Sequence, residues 1–112
     1  LKVKSRTLRL LLGMIVGLTL ATPAGNSIEL SDDGKSLTLA DQNGNKITMD
    51  SEGIHLESAK VVEMKAGTET KMESSTAFEI KAGSELKLEG SASAELKGGG
   101  MAKLSGAMVQ IN

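Results

Sequence analysis

The sequence predicts an all-β chain completed only by copies of itself, an intertwined triple-stranded β-helix in which a homotrimer forms a triangular prism. Three observations predict it. Residues 53–108 are one eight-residue unit written seven times. The charges of that unit reverse sign from one copy to the next. The composition cannot fill a wide core, since the 112 residues include no Trp, Tyr or Cys, one Phe, one Pro and 13 Gly.

In chain order, Lys2, Lys4, Arg6 and Arg9 precede the apolar run from Leu10 to Ala21. That is the charge order and length of a secretory signal peptide, and the run is short of the roughly 20 residues that a membrane span needs. Against the signal reading, the sequence starts at Leu1 as a fragment would, and Leu18-Thr19-Leu20 falls in phase with the strand pattern downstream. The run is therefore expected to be the first, more apolar part of the same β-structure.

Residues 18–56 then alternate apolar, polar, apolar in short stretches. Leu18–Leu20, Ile28–Leu30, Leu37–Leu39, Ile47–Met49 and Ile54–Leu56 are expected to be strands. The spacers hold Pro23-Ala24-Gly25-Asn26, Asp33-Gly34 and Asn43-Gly44, and Asp-Gly and Asn-Gly signal tight turns because both tolerate positive φ. Residues 1–52 are thus expected to form an irregular strand meander leading without a linker into a needle over 53–112.

The octads read GIHLESAK, VVEMKAGT, ETKMESST, AFEIKAGS, ELKLEGSA, SAELKGGG and MAKLSGAM. Place four is Leu56, Met64, Met72, Ile80, Leu88, Leu96 and Leu104, and place two includes Ile54, Val62, Phe78 and Leu86. With a period of two, these places share one face and places three and five the other, while the small residues at six and seven are expected to form the corner. Glu63/Lys65 is followed by Lys71/Glu73, Glu79/Lys81, Lys87/Glu89 and Glu95/Lys97. If octads stack roughly 4.8 Å apart, opposite charges meet along the outer face. Each exposed pair contributes only a few tenths of a kcal/mol, so the alternation sets register more than it supplies stability.

Two apolar side chains per octad cannot enclose themselves. An octad has one straight run and one corner, whereas a single-chain solenoid needs roughly 20 residues per turn. Three chains, each giving one side at every level, close the prism. The expected trimer core is Ile54, Leu56, Val62, Met64, Met72, Phe78, Ile80, Leu86, Leu88, Leu96 and Leu104.

Thirteen Lys and Arg against 14 Asp and Glu leave no basic stripe for a phosphate backbone, and there are no aromatics for base stacking, so nucleic acid is not an expected partner. The only histidine, His55, falls at outward place three, and no metal or cofactor site is expected around it. Asp32, Asp33, Asp41 and Asp50 read as turn formers, and Met64, Met72, Met101 and Met108 as gap-fillers in a narrow core. Nothing in the octads makes a cleft, so no catalytic residue is expected.

The segment Thr22–Leu30 (TPAGNSIEL), with Leu39–Ile47 (LADQNGNKI), Gly53-Ile54 and the octads, resembles the spike region of the VgrG family, the trimeric tip proteins of bacterial type VI secretion, and is similar to contractile phage tail spikes. The resemblance runs from about residue 17 to the end. It implies a needle assembled in the bacterial cytoplasm, mounted on an inner tube through N-terminal hub domains, and driven through a target membrane with effectors. It also implies a PAAR-repeat cap on the blunt end formed by Met108, Val109, Gln110, Ile111 and Asn112, where Gln110 takes place two and the phase shifts by one. A secreted trimeric adhesive or surface fibre is the alternative, supported by the signal-like N-terminus. A carrier module whose outer face docks effectors is compatible with the needle.

Overall fold

The computed structural model describes the backbone of Lys2–Lys4, Leu10–Leu11, Met14–Ile15 and residues 17–112, and the side chains of residues 17–112. Of the signal-like segment, residues 1–21, the side chains of 1–16 lie outside the described residues, and 17–21 form a strand. Every regular element described is a strand. The chain divides into two compact units, Leu1–Thr70 and Lys71–Asn112.

The first unit holds a six-stranded antiparallel sheet of β1 (Lys2–Lys4), β4 (Gly17–Ala21), β5 (Ser27–Ser31), β6 (Ser36–Ala40), β7 (Lys46–Asp50) and β8 (Gly53–Glu57), paired in that order. A separate two-stranded ribbon joins β2 (Leu10–Leu11) to β3 (Met14–Ile15). All five apolar-polar-apolar stretches found in the sequence are strands of the sheet. From β4 to β8 each strand pairs with its successor, which is what short connections between alternating segments impose. In the first unit β8 is an edge strand, and no intrachain strand follows it to Asn112.

Register places the apolar residues in two rows on one face. Leu20, Ile28, Leu39, Ile47 and Leu56 form one row, and Leu18, Leu30, Leu37, Met49 and Ile54 the other. Thr19, Glu29, Thr38, Thr48 and His55 are paired across the same strands on the opposite face. A shift by one residue would exchange the two faces, so the alternation itself fixes the pairing.

The turns are built by side chains. In the five-residue loop before β5, Asn26 donates its backbone N–H and its amide to Thr22 Oγ1 at 3.2 and 3.1 Å. The loop before β7 repeats this with a carboxylate: Asp41 Oδ1 accepts the N–H groups of Asn43 and Asn45 at 2.8 and 2.9 Å, and Oδ2 the Asn45 amide at 2.8 Å. In both loops the glycine before the asparagine has positive φ, 106° at Gly25 and 92° at Gly44. A Cβ there would meet only ordinary contacts with Gln42 or Ala59, so backbone conformation, not space, demands glycine. The asparagines then reach onward. Asn26 Oδ1 accepts the Gln42 N–H at 3.0 Å, and Asn45 Oδ1 accepts the Ala59 N–H at 3.1 Å. One loop is thus tied to the next, and the next to the corner of the first octad.

The Asp33-Gly34 turn differs from expectation. Its positive φ falls on Lys35, at 52°, within a four-residue connection closed by the Lys35 N–H on the Asp32 carbonyl at 3.2 Å. Gly34 is there for space: its N–H donates to Ser31 Oγ at 2.9 Å, the same distance at which that oxygen would crowd a Cβ.

From the first octad onward, bends recur at places seven and eight, from Ala59-Lys60 through Gly99-Gly100, and at Ala107 in the last. The corner therefore sits one place later than the small residues at six and seven suggest. In the second unit the smallness of place six has its own cause, because a Cβ on Gly90 or Gly98 would collide with the carbonyl of Ser93 or Met101, three residues ahead.

The Asp41 loop gives a pH prediction. The backbone N–H of Asn45, then its amide, then the N–H of Asn43 hold the Asp41 carboxyl at about 2, below the ordinary 3.8. A depressed carboxylate pKa stabilises the fold above the unfolded value, and that contribution is lost as pH falls from there through the folded value. The Asn43 and Asn45 amide resonances are expected to stay native down to about pH 4 and to shift with a midpoint near 2. Asp41→Asn should remove that titration, and a midpoint at the ordinary value would show that the loop is not closed in solution.

Candidate functional site

The exposures within the sheet are inverted for a finished protein. Thr19, Thr38 and Thr48 are half-buried, whereas Ile28, Leu30, Leu37, Leu39, Ile47 and Met49 of the same sheet are exposed, with Leu39 at 45%. Among the described residues no apolar side chain is buried. A contiguous face of aliphatic side chains at this exposure is larger than a monomeric domain tolerates and marks a surface that something covers. A depression over Leu20, Ile28, Leu39 and Ile47, rimmed by Thr22, Asn26, Asp41 and Asn45, follows the one of the two apolar rows that lies beside the loops.

Of the residues picked from the sequence as trimer core, the structure brings Ile54 and Leu56 onto this face, opposite Met49 and Ile47 of β7. Val62 and Met64 follow in the first unit and are exposed. In the second unit Met72, Phe78, Ile80, Leu86, Leu88, Leu96 and Leu104 are all exposed, from 51% at Phe78 to 84% at Leu96. The tip residues Met108, Val109, Gln110, Ile111 and Asn112 are exposed as well. The sequence selection left out the apolar residues of β4 to β7, although their strict alternation already signalled one continuous face.

The polar side carries order without a cleft. Lys46 Nζ lies 3.7 Å from Glu57 Oε2, and these two residues are directly opposite in the register. His55 Nε2 lies 3.3 Å from Asp50 Oδ1. The Asp50 carboxyl is held below its ordinary value, first by the N–H of Glu52 and then, more weakly, by the hydrogen bond and charge of His55. The His55–Asp50 pair is partly open to solvent, and among the described residues no group of three His, Cys, Asp or Glu side chains is placed to hold a metal ion. In the second unit Glu95 and Lys97 approach to 2.9 Å, and Glu85 and Lys87 to 3.7 Å. Each is an i, i+2 pair, so places three and five, and one and three, share a side as a period of two requires.

A contiguous exposed apolar face on one side of an all-β sheet, with charge pairs on the other, has the character of an assembly surface. The phage baseplate V C-terminal trimerisation domain matches residues 17–112, and the chain belongs to that family. The match starts where β4 starts and supports the spike-region resemblance carried by Thr22–Leu30 and Leu39–Ile47. It points to a structural role in a baseplate or spike, and its trimerisation character supports a homotrimer. No curated protein matches the chain.

Proposed function

We propose that three copies of this chain wind together into a spike, in which residues 53–112 form a triangular β-helical needle and the preceding meander leads into it. The observation that carries this reading is the inverted exposure of β6 and β7, with Leu37, Leu39, Ile47 and Met49 more open than Thr38 and Thr48 behind them. The trimerisation family supports it. So does the recurrence of a bend in every octad while no strand beyond Glu57 finds a partner in its own chain. Backbone groups of a strand require partners, and in this arrangement the neighbouring copies supply them.

In this reading the spike belongs to the tip of a contractile injection machine of the type VI secretion class. It is assembled in the bacterial cytoplasm, mounted on the inner tube through domains N-terminal to this chain, and driven through a target membrane with its effectors. Met108, Val109, Gln110, Ile111 and Asn112 carry a PAAR-repeat cap. Truncation after Met108 is expected to leave the trimer intact and to abolish binding of the cap, measured by pull-down with a PAAR-repeat protein; undiminished capture would remove the tip assignment.

The decisive experiment is light scattering after size exclusion. A single species of about 35 kDa, three times the 11.6 kDa chain, that persists in detergent without heating is expected. A monomer would sink the intertwined prism.

A further inference from the structure

We propose that the charges at places three and five act as a parity code, by which a copy of this chain accepts only copies of the same charge parity in the same register. The proposal rests on the homotrimeric reading above and adds the rule of partner choice.

The apolar pattern cannot tell one charge parity from the other, and it marks register only by size. Place four is Leu, Met or Ile in every octad, so sliding one copy by a whole octad keeps an aliphatic residue there and keeps the bends, while place two varies in bulk from Ala94 and Ala102 to Phe78. The charges do not repeat in this way. Place five runs Glu57, Lys65, Glu73, Lys81, Glu89, Lys97, and place three runs Glu63, Lys71, Glu79, Lys87, Glu95, Lys103. Their true period is sixteen residues, two octads.

The first rung of this ladder is formed in the structure. Glu57, at place five of the first octad, lies directly across β7 and β8 from Lys46 at 3.7 Å, on the side away from the apolar face. A stacked neighbour at one strand spacing thus presents its charge to place five at ion-pair distance. The Glu95–Lys97 contact shows that places three and five lie on one side of an octad further along.

In a three-sided prism each chain crosses to the next side at every corner. Successive strands on one side are then successive octads drawn from different copies. Away from the two ends of the ladder, each acid at place three or five therefore lies between two bases belonging to other copies, and each base between two acids. A slip of one octad, or a partner of inverted parity, sets like charge against like along the whole side, which is destabilising at every rung. The individual pairs are exposed and weak, but discrimination is a difference summed over all rungs, and repulsion contributes as much to it as attraction.

The test uses the 112-residue chain and a parity-inverted version, with Glu and Lys exchanged at every place three and five from Glu57 to Lys103, together with Lys46→Glu and, at the place-one acids beside Lys71 and Lys87, Glu69→Lys and Glu85→Lys. The inverted chain alone should form a trimer, because each opposite pair is kept. The two chains, one tagged, are then unfolded in urea, mixed and refolded at low salt, and the trimers are counted by native mass spectrometry. Tagged and untagged wild type should give the statistical distribution, about three-quarters mixed trimers, whereas wild type with inverted chain should give less than about a tenth. Raising the salt to about 1 M should restore mixing. Statistical mixing at low salt overturns the parity code while leaving the trimer standing, and a wild-type chain that is not trimeric overturns the trimeric reading itself. A second variant inverts one octad only, Glu79→Lys with Lys81→Glu, and so places like charges against both neighbouring levels. Its urea midpoint should fall below those of both the wild-type and the fully inverted chains, and an unchanged midpoint overturns the proposal.

Discussion

Ile80→Lys is expected to abolish assembly. Ile80 holds place four of the fourth octad and is 58% exposed in the single chain, so the substitution does nothing to a chain standing alone. In the proposed spike it would set three ammonium groups around one narrow axis with no carboxylate among the neighbouring places two and four. Covering an isoleucine contributes about 1.5–3 kcal/mol per copy, and enclosing an unpaired charge costs several kcal/mol per ion. Both terms act three times at one level, and mutual repulsion adds to them. Light scattering should show monomer where the unsubstituted chain gives trimer. Ile80→Leu keeps volume and shape class and should cost less than about 1.5 kcal/mol per copy. A stable Ile80→Lys trimer would mean that place four faces outward.

Gly98→Ala is the second large effect, and Gly99→Ala is its internal control. A Cβ at Gly98 collides with the Met101 carbonyl, a backbone atom that cannot turn aside, whereas a Cβ at Gly99 meets nothing within 4 Å in the chain. The corner at Gly99-Gly100 must open for Gly98→Ala to fit. Such overpacking costs about 1–3 kcal/mol per chain, applied at three corners of one level. The Gly99 variant should stay within about 0.5 kcal/mol of wild type. Urea unfolding of the three proteins measures both numbers. Equal losses at the two positions would show that the corner is set by contacts between copies and not by the chain's own turn.

Much of this architecture was legible because strand alternation is a local code. The stretches at Leu18, Ile28, Leu37, Ile47 and Ile54 each declare a face, and the structure pairs them as read. Turns were less legible. Asp33-Gly34 carries the expected residues, yet the left-handed conformation falls on Lys35, in a turn where Ser31 Oγ accepts the Gly34 N–H. The octad corner was displaced by one place as well. Small residues mark where the chain approaches its own backbone, at Gly90 and Gly98, and the bend follows that approach. The onward ties of Asn26 and Asn45 were missed, although Thr-x-x-Gly-Asn at 22–26 and Asp-x-x-Gly-Asn at 41–45 repeat at one spacing and could have disclosed them. The octads are expected as strands, but among the described residues no strand is formed after Glu57. One copy of a sequence states which residues want covering and cannot state in its own contacts what covers them.

The lack of any buried apolar side chain among the described residues has a kinetic consequence. In the proposed spike the cover for these side chains comes from the other copies, so folding and association are expected to become one event. The half-time for reaching the native state should therefore shorten as chain concentration rises, unlike that of a self-sufficient domain. Inside a cell the favourable place for that event is a single messenger on which neighbouring ribosomes release copy after copy into the same small volume.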